Sequence, residues 1–217
     1  MRELFFIAIF SLFIIPPIFT KSAATALFTS WTFPVLPLLY ALLASFVYRF
    51  LCAQHVQANG HKSLMTKLCY ALGAFCCLCL TAVLIERGVH LFGSAQFLTV
   101  ALPSSAKEAA YCIVNFACAS FYEEALYRLY MPETMQVILQ RICTTERGCR
   151  TATLVSETAS VLLFALAHRY LGTASVVNAL VAGIVLRAAC KKSRTVWTSF
   201  TAHFAYNIVS VALFSVL

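Results

Sequence analysis

The stretch NFACASFYEEALYRLY, residues 115–130, sets two adjacent glutamates, Glu123 and Glu124, in apolar surroundings with no basic residue until Arg128. A carboxylate held mid-helix in hydrocarbon costs roughly 2.5–3.5 kcal/mol on insertion scales, so a chain that keeps two there uses them. Residues four apart lie on one helix face, so Glu124 and Arg128 can pair, while Glu123 is turned about 100° away. That spacing divides the labour. Glu124 is expected to be paired and structural, and Glu123 to be free to exchange protons.

The surroundings of this stretch decide the class of fold. The chain has 217 residues, is 61% hydrophobic and 11% charged, and contains no Asp. An ordinary soluble domain carries about 25% charged residues. Apolar runs of about 20 residues are long enough to cross a bilayer as helix. They fall at 4–20, 31–53, 64–85, 108–131, 154–171, 173–190 and 195–216. The expectation is an all-α polytopic membrane bundle of about seven transmembrane helices. Breakers mark the connections: Pro16-Pro17, Asn59-Gly60, Gly88 to Gly93, Pro132, Gly148 and Gly172. Between Pro132 and Arg150 the chain turns polar, and Met135, Ile138 and Leu139 fall at helical spacing, which predicts a short amphipathic helix at the interface.

Charge orients the bundle. With seven spans, one side collects eleven basic residues, from Arg2, Arg49, Lys62 and Lys67 through Arg141, Arg147 and Arg150 to Arg187, Lys191, Lys192 and Arg194. The other collects four, Lys21, Arg87, Lys107 and Arg169. By the positive-inside rule the N-terminus is cytosolic and the C-terminus lies on the opposite side. Arg2, the apolar run after it and Ala24-Thr25-Ala26 also have the outline of a cleavable secretory signal. The length of the run and its Pro pair favour a retained helix.

The net charge of +8 is this loop bias, and no basic patch has the aromatic interleaving of a nucleic-acid surface. The expected partners are membrane lipid and a peptide or protein-tail substrate, with no nucleic acid. The ten cysteines include Cys76-Cys77-Leu78-Cys79, but within a membrane helix free Cys acts as a small hydrophobe. No second pair completes a zinc spacing.

Two later apolar segments carry further polar residues: Phe164 with His168, and His203 with Asn207, each pair four apart. His203 and Asn207 share a face and can point at one bound group, and Phe164 can pack on the His168 ring. A buried carboxylate can take a proton from water and return it to a leaving amine. Imidazole and amide N–H groups can donate to a developing oxyanion. Each element alone reads equally well as structure: an ion pair, a core histidine, a polar contact between helices. Their joint occurrence is what points to hydrolysis.

Glu-Glu-x-x-x-Arg (Glu123, Glu124, Arg128), Phe-x-x-x-His (Phe164, His168) and His-x-x-x-Asn (His203, Asn207) together resemble the three motifs of the CPBP family. These are the CAAX proteases and bacteriocin-processing enzymes, also called Abi. The order matches, as does Ala182-Gly183-Ile184-Val185 before a basic turn, and the resemblance covers residues 108–217. It implies an intramembrane endopeptidase in which Glu123 activates water held by His168. His203 and Asn207 would stabilise the oxyanion, while Glu124 and Arg128 fix the helix. Metal-free and zinc-dependent mechanisms both suit the residues. Glu123, His168 and His203 form a zinc set with an open position, but no His-Glu-x-x-His occurs and the metal-free reading is favoured. The missing Asp sets aside aspartyl intramembrane proteases. Gly93-Ser94 lacks the setting of a rhomboid-type serine.

The expected organisation is a set of accessory helices over 1–107 and a protease core over 108–217. A non-catalytic scaffold or immunity protein of the same family is the alternative, and a proton-relaying transporter is a third reading. One tension remains in helix depth. At about 1.5 Å per residue, Glu123 and His203 lie about 12 Å from the cytosolic ends of their helices, and His168 lies near the far end of its own. The three meet if the 154–190 hairpin stops short inside the bilayer near Gly172, leaving Arg169 partly buried or facing the cavity.

Overall fold

In the computed structural model, which describes residues 2–19, 32–55, 62–92 and 102–215, the chain is an all-α bundle. The described residues form seven rods. The first is α1 (Arg2–Ile9), a π-helical segment (Phe10–Ile14) and α2 (Ile15–Phe19). Then come α3 (Val35–His55) and α4 (Leu64–Phe92). The fourth rod runs unbroken through α5 (Ala106–Glu124), a second π-helical segment (Ala125–Tyr130) and α6 (Met131–Gln140). The last three are α7 (Glu146–Ala167), α8 (Thr173–Ser193) and α9 (Val196–Ser215). Leu64–Val89, Glu146–Leu171 and Thr173–Ser193 are long and apolar enough to cross a membrane. Leu64, Leu72, Leu80 and Leu84 on α4 are exposed, the outward apolar surface that suits lipid rather than water.

Small residues at helical spacing let these rods approach. Ala71, Ala74, Leu78 and Ala82 line the buried face of α4, and Ala179, Ala182, Gly183, Leu186 and Ala189 that of α8, which packs along it. Lipid tails are as apolar as Leu, so close backbone approach and side-chain packing, rather than escape from water, hold such helices together. Gly183 has a specific reason to be glycine. A Cβ there would lie 3.1 Å from Val161 Cγ1 and 3.3 Å from Phe164 Cδ1 on α7. Gly172, at φ 98° and ψ 169°, turns α7 into α8 in a backbone region that only glycine enters freely.

Several boundaries differ from the sequence expectation. Gly88 does not end α4, which continues to Phe92; a lone glycine costs a helix only about 1 kcal/mol against Ala. Asn59-Gly60, Gly93 and Ala24-Thr25-Ala26 lie outside the described residues. Pro132 does not separate an interfacial helix, because the fourth rod passes through it by widening its ladder: Met131 N–H bonds Leu126 O, five residues back. Pro132 has no N–H for the carbonyl of Tyr127, five back, or Arg128, four back. Both are met from other helices, Tyr127 O by Ser160 Oγ at 2.5 Å and Arg128 O by Arg187 Nη1. The same device recurs in the first rod, where Pro17 offers nothing to Phe13 O and Tyr122 OH donates to it at 3.4 Å. Gly148 likewise lies within a helix, since Thr145 caps α7 by accepting from Gly148 N at 3.1 Å.

Glu123, His168 and His203 meet because α6 and α7 run further at their Gln140 and Glu146 ends than expected, while α7 turns into α8 at Gly172, four residues past His168. From the rise per residue, His168 lies about 33 Å from the start of α7 and Glu123 about 25 Å from the end of α6. His203 lies about 10 Å from the start of α9. The α6 and α7 ends, packed on each other, therefore project beyond the start of α9. Arg169 is exposed, not turned into the cavity.

Candidate active site

All six residues singled out from the motifs come from three rods and meet around one centre. Glu124 and Arg128 are fully buried, with Arg128 Nε 3.3 Å from Glu124 Oε2. The other oxygen of Glu124 lies 3.0 Å from His203 Nδ1 on α9. A carboxylate only accepts, so the neutral His203 ring carries its proton on Nδ1 and turns a bare Nε2 the other way. That Nε2 lies 3.7 Å from Glu123 Oε2. On the third rod, His168 Nδ1 lies 2.8 Å from the Phe164 carbonyl, which also only accepts. The His168 Nε2 lies 3.9 Å from the same Glu123 oxygen.

The tautomers differ from the simplest sequence expectation, in which a neutral His203 donates to an oxyanion. The one proton of its neutral ring is committed to Glu124. Donation from Nε2 therefore requires the imidazolium.

Phe164, 1% exposed, joins the two halves of the site. Arg128 Cζ sits 4.1 Å from its ring centroid, a cation held over an aromatic face. Its ring packs edge-on against His168 at 4.7 Å and reaches His203 at 6.1 Å. Local chain chemistry brings His168 here: α7 ends on it at φ −93° and ψ 6°, and a single 3₁₀ turn, Arg169–Leu171, leads to Gly172.

Glu123 keeps 22% of its side chain exposed and stands on the wall between two cavities. One, about 510 Å³, reaches His203, Asn207, Asn178 and Tyr206. The other, about 360 Å³, runs under the first rod past Phe13, Pro16 and Pro17. Both include Glu123, His168, Tyr170 and Tyr40. Asn207 Nδ2 donates to Ser120 Oγ at 3.1 Å, one turn before Glu124 on α5. Asn178 Nδ2 donates to Tyr206 OH at 2.8 Å.

Sequence reasoning missed Tyr170, Asn178 and Tyr206 as walls of the site, and Ser120 as the buried partner of Asn207. A tyrosine or serine in an apolar run reads as ordinary helix packing, and only the helical register with His168, His203 or Glu124 would have marked them. It also missed the Arg128 contact with Phe164, which joins two motifs no local spacing connects. Among the described residues, no three His, Cys, Asp or Glu side chains are grouped to hold a metal ion as they stand.

Residues 105–209 match the family model described as type II CAAX prenyl endopeptidase Rce1-like. No curated protein and no solved structure matches the chain.

Proposed function

Residues 105–209 belong to the Rce1-like family of type II CAAX prenyl endopeptidases, and on that premise we propose that this chain hydrolyses a peptide bond in a membrane-associated protein or peptide with Glu123 as general base. The observation that supports it most directly is the convergence of two imidazole Nε2 atoms, from two other helices, on one oxygen of Glu123 at 3.7 and 3.9 Å. Those gaps are wider than a direct hydrogen bond and suit one water between Glu123 and the His168 ring, donating to both. The orientation with a cytosolic N-terminus, the accessory role of residues 1–107 and the substrate are parts of the same reading.

In this reaction Glu123 takes a proton from the water as its oxygen attacks the scissile carbonyl carbon. The carbonyl π electrons move to oxygen, giving a tetrahedral oxyanion. His203, as the imidazolium paired with Glu124, and the second N–H of the Asn207 amide donate to that oxyanion. Glu123 then returns its proton to the amide nitrogen, the C–N bond breaks, and a carboxylic acid and an amine leave. Glu124 and Arg128 touch no reacting atom; they hold His203 and Phe164.

Zinc on Glu123, His168 and His203 is the second reading, because both Nδ1 atoms already face acceptors as they do in metal-bound histidines. Bonds of 2.0–2.2 Å in a tetrahedron put donors about 3.3–3.6 Å apart. The observed 3.7 and 3.9 Å are slightly wider, which suits a bridging water better than a shared metal and supports the metal-free route.

The test is cleavage of a membrane-anchored peptide by the full chain in liposomes, before and after exhaustive chelation with metal analysis. Turnover that survives chelation and is lost in Glu123→Gln supports the proposal. Full turnover in Glu123→Gln sinks it. A scaffold or immunity protein would keep its biological effect in that nearly isosteric variant.

A further inference from the structure

Outside the six motif residues, the strongest polar assembly in the described chain joins α7, α8 and the π-helical segment. Arg187 of α8 grips Glu157 of α7 with a two-pronged contact, Nε to Oε2 at 2.6 Å and Nη2 to Oε1 at 2.8 Å. Lys191 Nζ also lies 3.0 Å from this carboxylate, but its side chain is 55% exposed and the contact is screened by solvent. The remaining arm, Nη1, donates to the main-chain carbonyl of Arg128. That carbonyl would bond residue 132 in an α-helix, and Pro132 has no N–H to give. Arg187 thus supplies from another helix the donor the fourth rod lacks, at the residue whose side chain organises the site.

The side chain of Arg128 needs such an anchor. Its Nη1 and Nη2 are buried and have no hydrogen-bond partner among the described residues. It rests on Glu124 Oε2 at 3.3 Å and the Phe164 ring at 4.1 Å. With so few partners, its placement depends on where the main chain at 128 is held. Through Glu124 it governs His203, and through Phe164 it governs His168.

We propose that Arg187, clamped by Glu157, is a positioning residue that fixes the Arg128 peptide unit and thereby the orientation of the His203 ring towards Glu123. The proposal rests on the hydrolytic reading above for its kinetic consequences, but its structural part does not depend on turnover. Only a planar fork can hold a carboxylate with two N–H groups and present a third to a carbonyl, which lysine cannot do.

The experiment uses the full chain in liposomes with ¹⁵N-labelled histidine, reading the His203 tautomer by NMR alongside kcat and KM on a membrane-anchored peptide. In Arg187→Gln, kcat is expected to fall about 10- to 100-fold, the scale of a small misplacement. KM should stay within about twofold, and His203 Nδ1–H should lose the hydrogen-bonded signature it has opposite Glu124. Lys191→Ala should behave as wild type. Pro132→Ala restores an N–H beside the Arg128 carbonyl, so the double variant Pro132→Ala with Arg187→Gln should regain the signature and part of kcat. Should Arg187→Gln fail to fold, the double variant should recover folded yield and signature together, and its failure to do so overturns the proposal. An unchanged His203 signature in a folded Arg187→Gln also overturns it. Turnover that persists in Glu123→Gln sinks the hydrolytic reading instead, and leaves the clamp to be judged by the signature alone.

Discussion

His203 Nδ1 stands 3.0 Å from Glu124 Oε1, while the opposite nitrogen of the same ring stands 3.7 Å from Glu123 Oε2. One imidazole thus separates two neighbouring carboxylates with unlike surroundings, Glu124 fully buried and Glu123 22% exposed. Sequence neighbours become different chemical devices because the helix turns them apart and a second helix inserts between them.

Substituting each carboxylate by its amide should separate those devices. Glu124→Gln strands Arg128 as a buried unpaired charge, and such losses run to about 3–5 kcal/mol. Its thermal unfolding midpoint and folded yield should drop well below wild type. Glu123→Gln removes no buried partner and should unfold like wild type while losing turnover by at least about 100-fold. Equal stability of the two variants would show that Glu124 is not the buried counter-ion of Arg128.

Gly183 offers a test of Phe164 without touching it. Gly183→Ala adds a methyl 3.3 Å from Phe164 Cδ1 and 3.1 Å from Val161 Cγ1. Overpacking of this kind costs about 1–3 kcal/mol. Because the Phe164 ring carries both Arg128 and His168, turnover should fall further than the stability loss explains. Gly73→Ala is the control, since nothing lies within 4 Å of a Cβ there, and it should be neutral or slightly stabilising through helix propensity. Both variants can be read by thermal unfolding in detergent and by turnover in liposomes.

The motif residues were readable because their signal is local. An ionisable group in an apolar run is conspicuous, and a four-residue interval fixes its face. That reasoning placed Glu124 with Arg128 and Phe164 with His168. The fold class was readable from composition for a similar reason, since hydrocarbon demands long apolar helix. Pro132 misled because a proline reads as a stop, whereas Ser160 and Arg187, from other helices, take up the carbonyls it leaves. Residues 146–153 looked like loop because they are polar, yet the Thr145 cap and the Glu146–Arg150 pair at 2.5 Å begin a helix there. Glu157 and Arg187 escaped notice because they are thirty residues apart, and no periodicity links two helices at that range.

Asn207 and Ser120 separate contact with the reaction from orientation of the contact. Asn207→Ala should lower kcat by about 10²- to 10³-fold, as loss of one oxyanion donor does, with folding intact because the residue is only half-buried. Ser120→Ala removes the hydroxyl 3.1 Å from Asn207 Nδ2 but leaves the amide present, so its effect on kcat should be clearly smaller. If Ser120→Ala were the more damaging of the two, the serine rather than the amide would be the group facing the oxyanion.

Arg128 combines two roles that a conservative change pulls apart. It is 0% exposed, neutralises Glu124 at 3.3 Å and lies flat enough over Phe164 to bring Cζ within 4.1 Å of the ring centre. Arg128→Ala removes the charge and strands Glu124, so folded protein should be scarce. Arg128→Lys keeps a cation opposite Glu124 but offers a compact ammonium without a planar face. Its stability should fall by about 2 kcal/mol at most, the scale of a desolvated cation–π contact, leaving enough folded protein to assay. Turnover should nonetheless drop by about tenfold or more, because Phe164 is freed to shift and the His168 ring shifts with it. Parallel measurement of unfolding midpoint and kcat decides the matter: a Lys variant with lowered stability and wild-type kcat would show that the ring contact steadies the bundle and does nothing for His168.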